Sequence, residues 1–269
     1  MTQIKESAPV RPEKKEEGFF RDLQVEFLIH ELKDPAAVIE SGVRSLLERR
    51  DKYGELNPLQ EKTLKRILRN ARKTRDMLYS LLEIGCTEAG RWVCRSFRPA
   101  DLIYDCLMET LENLEEETHA EALEIDSRRE ALAFLATRGY EVDFSTATEG
   151  LFIWRDEEKF RLIIGNLLKN AFHFRQNLVS IKTATEKDDL VVTVADDGPG
   201  VRPEHRDLIF ERYFRAAEQA DSGRKGHGLG LAGARIMARG LGGDVAVDNR
   251  PEGGAVFTFR APLLTRAED

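Results

Sequence analysis

Apolar residues recur at helical spacing from Phe19 onward. Leu28, Leu32, Pro35, Ile39, Val43 and Leu46 fall at steps of four and three and make one stripe. Tyr53-Gly54-Glu55-Leu56-Asn57-Pro58 interrupts it as a turn. A second stripe follows through Leu64, Ile67, Ala71, Leu78, Leu81 and Gly85. The pattern predicts two long amphipathic helices joined by a short turn. Such a hairpin cannot bury both stripes alone, so pairing with a second copy into a four-helix bundle is expected.

After Glu88 the texture changes. Arg91 to Phe97 alternates like a strand, and Pro99 opens a helix that runs on through the acidic 109–117 stretch. A further helical segment is predicted over about 120–138. Short strands are predicted at 140–145, 151–154, 179–183, 190–195, 244–248 and 254–260, with helices at 156–174 and 229–239. Mixed elements of this kind predict a layered α/β sandwich after the hairpin, an α+β chain overall. Residues 1–18 hold Pro9, Pro12 and a mixed Lys/Glu run with almost no apolar content, which predicts a disordered tail or linker. The expected division is therefore 1–18, a helical hairpin over 19–90, and a second domain over 91–266.

Charge removes one class of function. A net charge of −7 argues against a nucleic-acid binder, since phosphate affinity needs a basic footprint. No apolar run approaches the ~20 residues that span a bilayer, and no signal peptide opens the chain, so a cytoplasmic protein is expected. Cys86, Cys94 and Cys106 show no C-x-x-C spacing and read as structural thiols.

Among the histidines, His30 stands out. It lies two residues from both Leu28 and Leu32, roughly 200° around the helix from the stripe, and is expected to face solvent. An imidazole with a pKa near ~6.5 is mostly neutral at cell pH and keeps one free lone pair, while the adjacent Glu31 can accept the other N–H. Asn166 and Asn170 sit one helical turn apart, and amide oxygens so spaced can hold Mg²⁺ together with nucleotide phosphates. Asp196 ends an apolar strand before Gly198 and Gly200, where a carboxylate can accept amino hydrogens of a base and the glycines let backbone approach it. A plain Asp-Gly-Pro-Gly turn is the simpler reading of that block. Gly226, Gly228 and Gly230, with Leu229 between the last two, expose backbone N–H groups at a helix start, an anion cradle. The same stretch matches G-x-G-x-x-G through Gly233, but the polar residues before it do not read as the strand a dinucleotide site needs.

Four blocks in order, Phe27–Pro35, Asn166–Ala171, Asp196–Gly200 and Gly226–Leu231, resemble the sensor histidine kinases of two-component signalling, in the class with an H-E-x-[KR]-x-P box. The resemblance covers residues 19 to 264. It implies a dimeric helical hairpin followed by an α/β sandwich of the Bergerat (GHKL) type, with ATP and Mg²⁺ as cofactors. On that basis His30 is the phosphoacceptor, Glu31 its acid/base partner, Asn170 with Asn166 the metal site, and Asp196 the reader of adenine. Phe210–Arg215 resembles the block that anchors a mobile lid, with Arg215 reaching the γ-phosphate, and Gly253-Gly254 resembles the last glycine turn. The implied activity is autophosphorylation of His30 and transfer to an aspartate of a response-regulator receiver domain. Asn166 cannot act as the general base that a related hydrolytic ATPase carries there. A scaffold that keeps the fold without turnover is the other reading.

Two positions depart from the family pattern. Asp34 stands where a Thr or Asn positions water for dephosphorylating the partner, and its carboxylate would repel an aspartyl phosphate. His173 stands where a phosphate-contacting lysine is common, so His173, with Arg175 nearby, must replace it. Residues 109–138 look longer than the usual connection and read as a solvated helix face, or alternatively a docking surface.

Overall fold

The computed structural model describes residues 25–88, 90–212, 214 and 228–263, with side chains from Asp34 onward, Asp76 and Glu83 excepted. Helix α1 (Val25–Glu48) continues through Pro35 without interruption. A single turn, α2 (Arg50–Tyr53), and Gly54 at φ 83° reverse the chain. Helix α3 (Pro58–Glu88) starts on a reciprocal cap. Asn57 Oδ1 accepts the Gln60 N–H and Gln60 Oε1 accepts the Asn57 N–H, both at 2.9 Å. Pro58 occupies the first helical position, where a missing N–H is harmless.

The two helices run antiparallel, as the ion pairs Arg50–Glu61 and Glu40–Arg72 require. Glu40 is buried and accepts hydrogen bonds from Arg44 at 3.0 Å on its own helix and from Arg72 at 3.3 Å and Arg75 on α3. A buried carboxylate is tolerable only with such partners, so this cluster fixes the register of the pair. The α1 stripe splits here. Ala36, Glu40 and Val43 are buried, as is Ala71 on α3, while Pro35 is exposed and Val38 and Ile39 are 69% and 49% exposed. Small side chains take the closest approach, which leaves the larger ones outward.

Beyond residue 90 lie two sheets. Strand β1 (Cys94–Phe97) pairs antiparallel with β3 (Ile153–Asp156). The main sheet has the order β2-β4-β5-β7-β6, from β2 (Tyr140–Phe144), β4 (Val179–Glu186), β5 (Asp189–Asp196), β6 (Asp244–Asn249) and β7 (Ala255–Pro262). Only the β2–β4 pair is parallel among these. Helices α4 (Pro99–Leu114), α8 (Glu157–Phe174) and α9 (Gly230–Gly240) join it through one core. Phe160, Ile163, Ile164, Leu167, Leu168 and Ala171 of α8 are completely buried, the i, i+3, i+4 pattern of a core-facing helix. The Phe160 ring meets those of Phe97 and Phe259 edge-on at 5.4 and 5.3 Å.

The predicted elements past residue 88 are present, with two differences. The segment read as one helix over about 120–138 is two, α5 (Glu116–Leu123) and α6 (Arg128–Thr137). Ser127 caps the second, its side chain accepting the Glu130 N–H. It is also more than a solvated face, since Ala122 and Leu135 are buried in the core. Short helix α7 (Thr146–Glu149) has no apolar period and escaped the pattern. Among the described residues no helix is long and apolar enough to cross a membrane.

A buried ion pair closes the start of α8. Asp156 caps the helix, accepting the Lys159 N–H at 3.1 Å, and its Oδ2 binds Lys159 Nζ at 2.8 Å. The same Oδ2 accepts the Val93 N–H at 3.0 Å. Burial pushes the Asp156 carboxyl up, but these hydrogen bonds outweigh it and hold it below the ordinary carboxylate range. A lowered folded pKa stabilises the fold above the ordinary carboxyl range, and that contribution is lost as pH falls through the folded value.

Asp156→Asn removes the carboxylate that pairs with the buried Lys159 ammonium. Chemical denaturation should show a loss of about 3–5 kcal/mol, and the variant's acid-side stability slope should be shallower than wild type. Leu135→Ala should cost about 2–5 kcal/mol in the same assay, as expected for core and not for an appendage. An unchanged midpoint would mean 118–138 is dispensable.

Candidate active site

The end of β5, the end of α8 and the turn before β7 meet, and the start of α9 lies against the middle of α8. Asp196 ends β5 and is 1% exposed. Its Oδ1 accepts the N–H of Gly198 at 2.9 Å and of Ala255 at 3.3 Å, whereas its Oδ2 is buried with no hydrogen-bond partner among the described residues. Burial raises its pKa against those two hydrogen bonds. An unsatisfied buried carboxylate oxygen is costly, and it is free to accept a donor that arrives from outside.

Glycines make this placement possible. A Cβ at Gly254 would lie 1.9 Å from the Asp196 carbonyl oxygen, and Gly254 also has φ +96°. A Cβ at Gly198 would lie 2.3 Å from the Phe174 carbonyl oxygen, so the loop after β5 is pressed onto the end of α8. Gly200, at φ +74°, faces Asn249, which clamps the loop by accepting the Val201 N–H and donating to the Val201 carbonyl, each at 2.8 Å. Asp197, adjacent to the candidate, points elsewhere and accepts the N–H groups of Gln176 and Asn177. Burial works upward on it, yet those N–H bonds hold its carboxyl below the ordinary range.

Asn166 and Asn170 lie on the half-buried shoulder of α8, and neither amide bonds another described residue. Asn166 Oδ1 lies 2.9 Å from where a Cβ on Gly230 would sit, so Asn166 and the start of α9 meet. Gly228 has φ +66° and Leu229 is buried, its carbonyl accepting the Gly233 N–H at 2.8 Å. This is the turn that presents N–H groups at a helix start.

His173 lies in the last turn of α8, edge-on to the Phe174 ring at 5.1 Å. Arg175 does not join it as the sequence suggested. Its guanidinium binds Glu115 at 2.8 Å and the Tyr140 hydroxyl, and covers the Tyr140 ring. His30 and Glu31 lie in α1, but their side chains are outside the described residues, as are Arg215 and Gly226 entirely. Asn249 and the Phe174 carbonyl were missed by sequence reasoning, because neither residue type signals a loop clamp until β6 lies beside the loop after β5.

Residues 155–265 match the family described as histidine kinase-, DNA gyrase B- and HSP90-like ATPases. This chain is a relative of the sensor histidine kinases. It is 30% identical over 249 residues to hybrid signal transduction histidine kinase D of Dictyostelium discoideum, covering 89% of this chain and 14% of the relative. It is 27% identical to signal transduction histidine-protein kinase AfsQ2 of Streptomyces coelicolor, covering 87% and 40%. The chain thus spans well under two thirds of these relatives' length. A crystal structure of full-length ShkA in complex with AMPPNP shares the fold at TM-score 0.62 and 23% identity, covering 91% of this chain and 46% of that one. Asp196, the glycines beside it and the contact of Asn166 with the start of α9 all lie within the residues that match this family.

Gly254→Ala forces a Cβ into the Asp196 carbonyl. A fluorescent ATP analogue should bind at least tenfold more weakly, by loss of a hydrogen bond of about 1.5–3 kcal/mol to the displaced carboxylate. Circular dichroism should report an intact fold, and wild-type affinity would contradict the placement.

Proposed function

We propose that this chain is an ATP-dependent protein-histidine kinase. It autophosphorylates His30 and passes the phosphoryl group to an aspartate on a response-regulator receiver domain. The observation that carries this reading is the Asp196 Oδ2, buried without a hydrogen-bond partner among the described residues, at a loop pressed onto the end of the helix that carries Asn166 and Asn170. Asp196 accepts the adenine amino group, and the N–H groups around Gly228 and Gly230 take the phosphates. Oxygen donors suit magnesium, and Asn170 with Asn166 would hold it. When bound, that ion neutralises phosphate charge.

The residues of this chain orient and accept. The lone pair of the His30 imidazole forms the new N–P bond as the bond between the γ-phosphorus and its bridging oxygen breaks and ADP leaves. Glu31 accepts the remaining ring N–H and stabilises the positive charge that develops. Arg215 supplies charge to the transferring group. Asn166 is no base for water, so transfer is favoured over hydrolysis.

We further propose the division into a phosphoacceptor hairpin over 19–90 and an ATP-binding domain over 91–266. Packing of Phe97, Ile103 and Leu107 into the same core as Phe160 supports the boundary near 90. A homodimer is proposed on the outward Val38, Ile39 and Ile67, which need a second hairpin to cover them.

Incubation with Mg·ATP should label the protein with an acid-labile, alkali-stable phosphate. His30→Ala should abolish labelling, chelation of magnesium should suppress it, and Asp196→Ala should weaken it by roughly 10- to 100-fold through lost nucleotide affinity. Release of phosphate without labelling would point instead to an ATPase.

A further inference from the structure

Helix α9 has a second face that the nucleotide site does not use. Gly233 and Gly240 are seven residues, two turns, apart on it. Neither lines the phosphate cradle. A Cβ on Gly233 would lie 3.1 Å from Ile84 Cδ1, and one on Gly240 would lie 2.3 Å from the Trp92 ring and 2.7 Å from Thr87 Cγ2. Ile84 is 1% exposed and Thr87 is also buried. The last turns of α3 and the Trp92 that follows them are therefore seated in a groove that has no room for a side chain at Gly240 and little at Gly233. Lys159 Nζ covers the Trp92 ring at 4.8 Å, and Glu88 pairs with Arg212 at the foot of the segment that follows Phe210.

The height of this seat matters. Glu40 meets Arg72 and Arg75, and Arg50 meets Glu61, in an antiparallel pair. Moving ten residues back along α1 and ten forward along α3, each rising roughly 1.5 Å per residue, brings His30 level with about residues 82–85. Ile84 is therefore at the height of the phosphoacceptor, and its partner Gly233 is one turn from Gly230.

We propose that the Gly233–Gly240 groove is a docking seat that levels the nucleotide cradle with His30. Ile84 and Gly233 are then positioning residues for phosphoryl transfer. The proposal rests on the kinase reading above and adds to it how the two domains are aligned. Filling the groove displaces the cradle along α3 without touching a nucleotide contact. Transfer between aligned groups falls by as much as roughly 10²-fold for a displacement of about 1 Å.

The test uses the full chain. Gly233→Leu should lower kcat for His30 labelling by at least tenfold, while KM for ATP and affinity for an ATP analogue stay within twofold. Adding Ile84→Ala to Gly233→Leu should return much of the rate, because the truncated side chain reopens the seat. In a Trp154→Phe background, Gly240→Ala should shift Trp92 emission to the red as the ring leaves its pocket. If Gly233→Leu does not fold, Ile84→Ala alone should show the same split between kcat and KM. Wild-type or faster labelling in Gly233→Leu or in Ile84→Ala alone, no recovery in the double variant, or KM rising in step with falling kcat, overturns the positioning role. An unlabelled wild type overturns the kinase reading and this role with it.

Discussion

The region proposed to hold the nucleotide depends on one carboxylate buried at the end of β5. Asp196 gives one oxygen to two backbone N–H groups, and the other has no partner among the described residues. A protein tolerates such a group only where the surrounding chain is fixed from several sides. Here the fixing is backbone against backbone. Gly254 lies against the Asp196 carbonyl, Gly198 against Phe174, and Gly200 against Asn249. Most of these contacts rule out a side chain, so the geometry of the carboxylate and the identity of the glycines are one constraint.

Much of this was legible in the chain itself. Stripes at steps of three and four located α1 and α3, and the block around Asn166 fell on α8 as its period demanded. The residues around Asp196 were readable because a strand end, an acid and two glycines are all local. What was not legible involves residues distant in sequence. Gly233 looked like part of a phosphate motif, yet its neighbour is Ile84, almost 150 positions earlier and invisible to any local period. The α1 stripe did not tell which of its residues would meet α3, because periodicity finds an apolar face without saying which partner covers it. Ala36 and a triply paired Glu40 took the inner position.

Arg175 teaches a related lesson. Nearness in sequence to His173 suggested a shared role at the phosphates. A guanidinium has five donors and a flat face, and it goes where both are used. Glu115, the Tyr140 hydroxyl and the Tyr140 ring satisfy both at once, tying the end of α8 to α4 and β2.

The cap at Asp156 has a mechanical meaning. One carboxylate holds the Val93 N–H of the connector after α3 and the first turn of α8, while β1 and β3 zip the same junction. An α-helix is a stiff rod, and the 18 residues of α8 make one about 27 Å long whose far half carries Asn166 and Asn170. A twist arriving down α3 is thereby delivered to the amide pair directly, as a torque on the root of a lever.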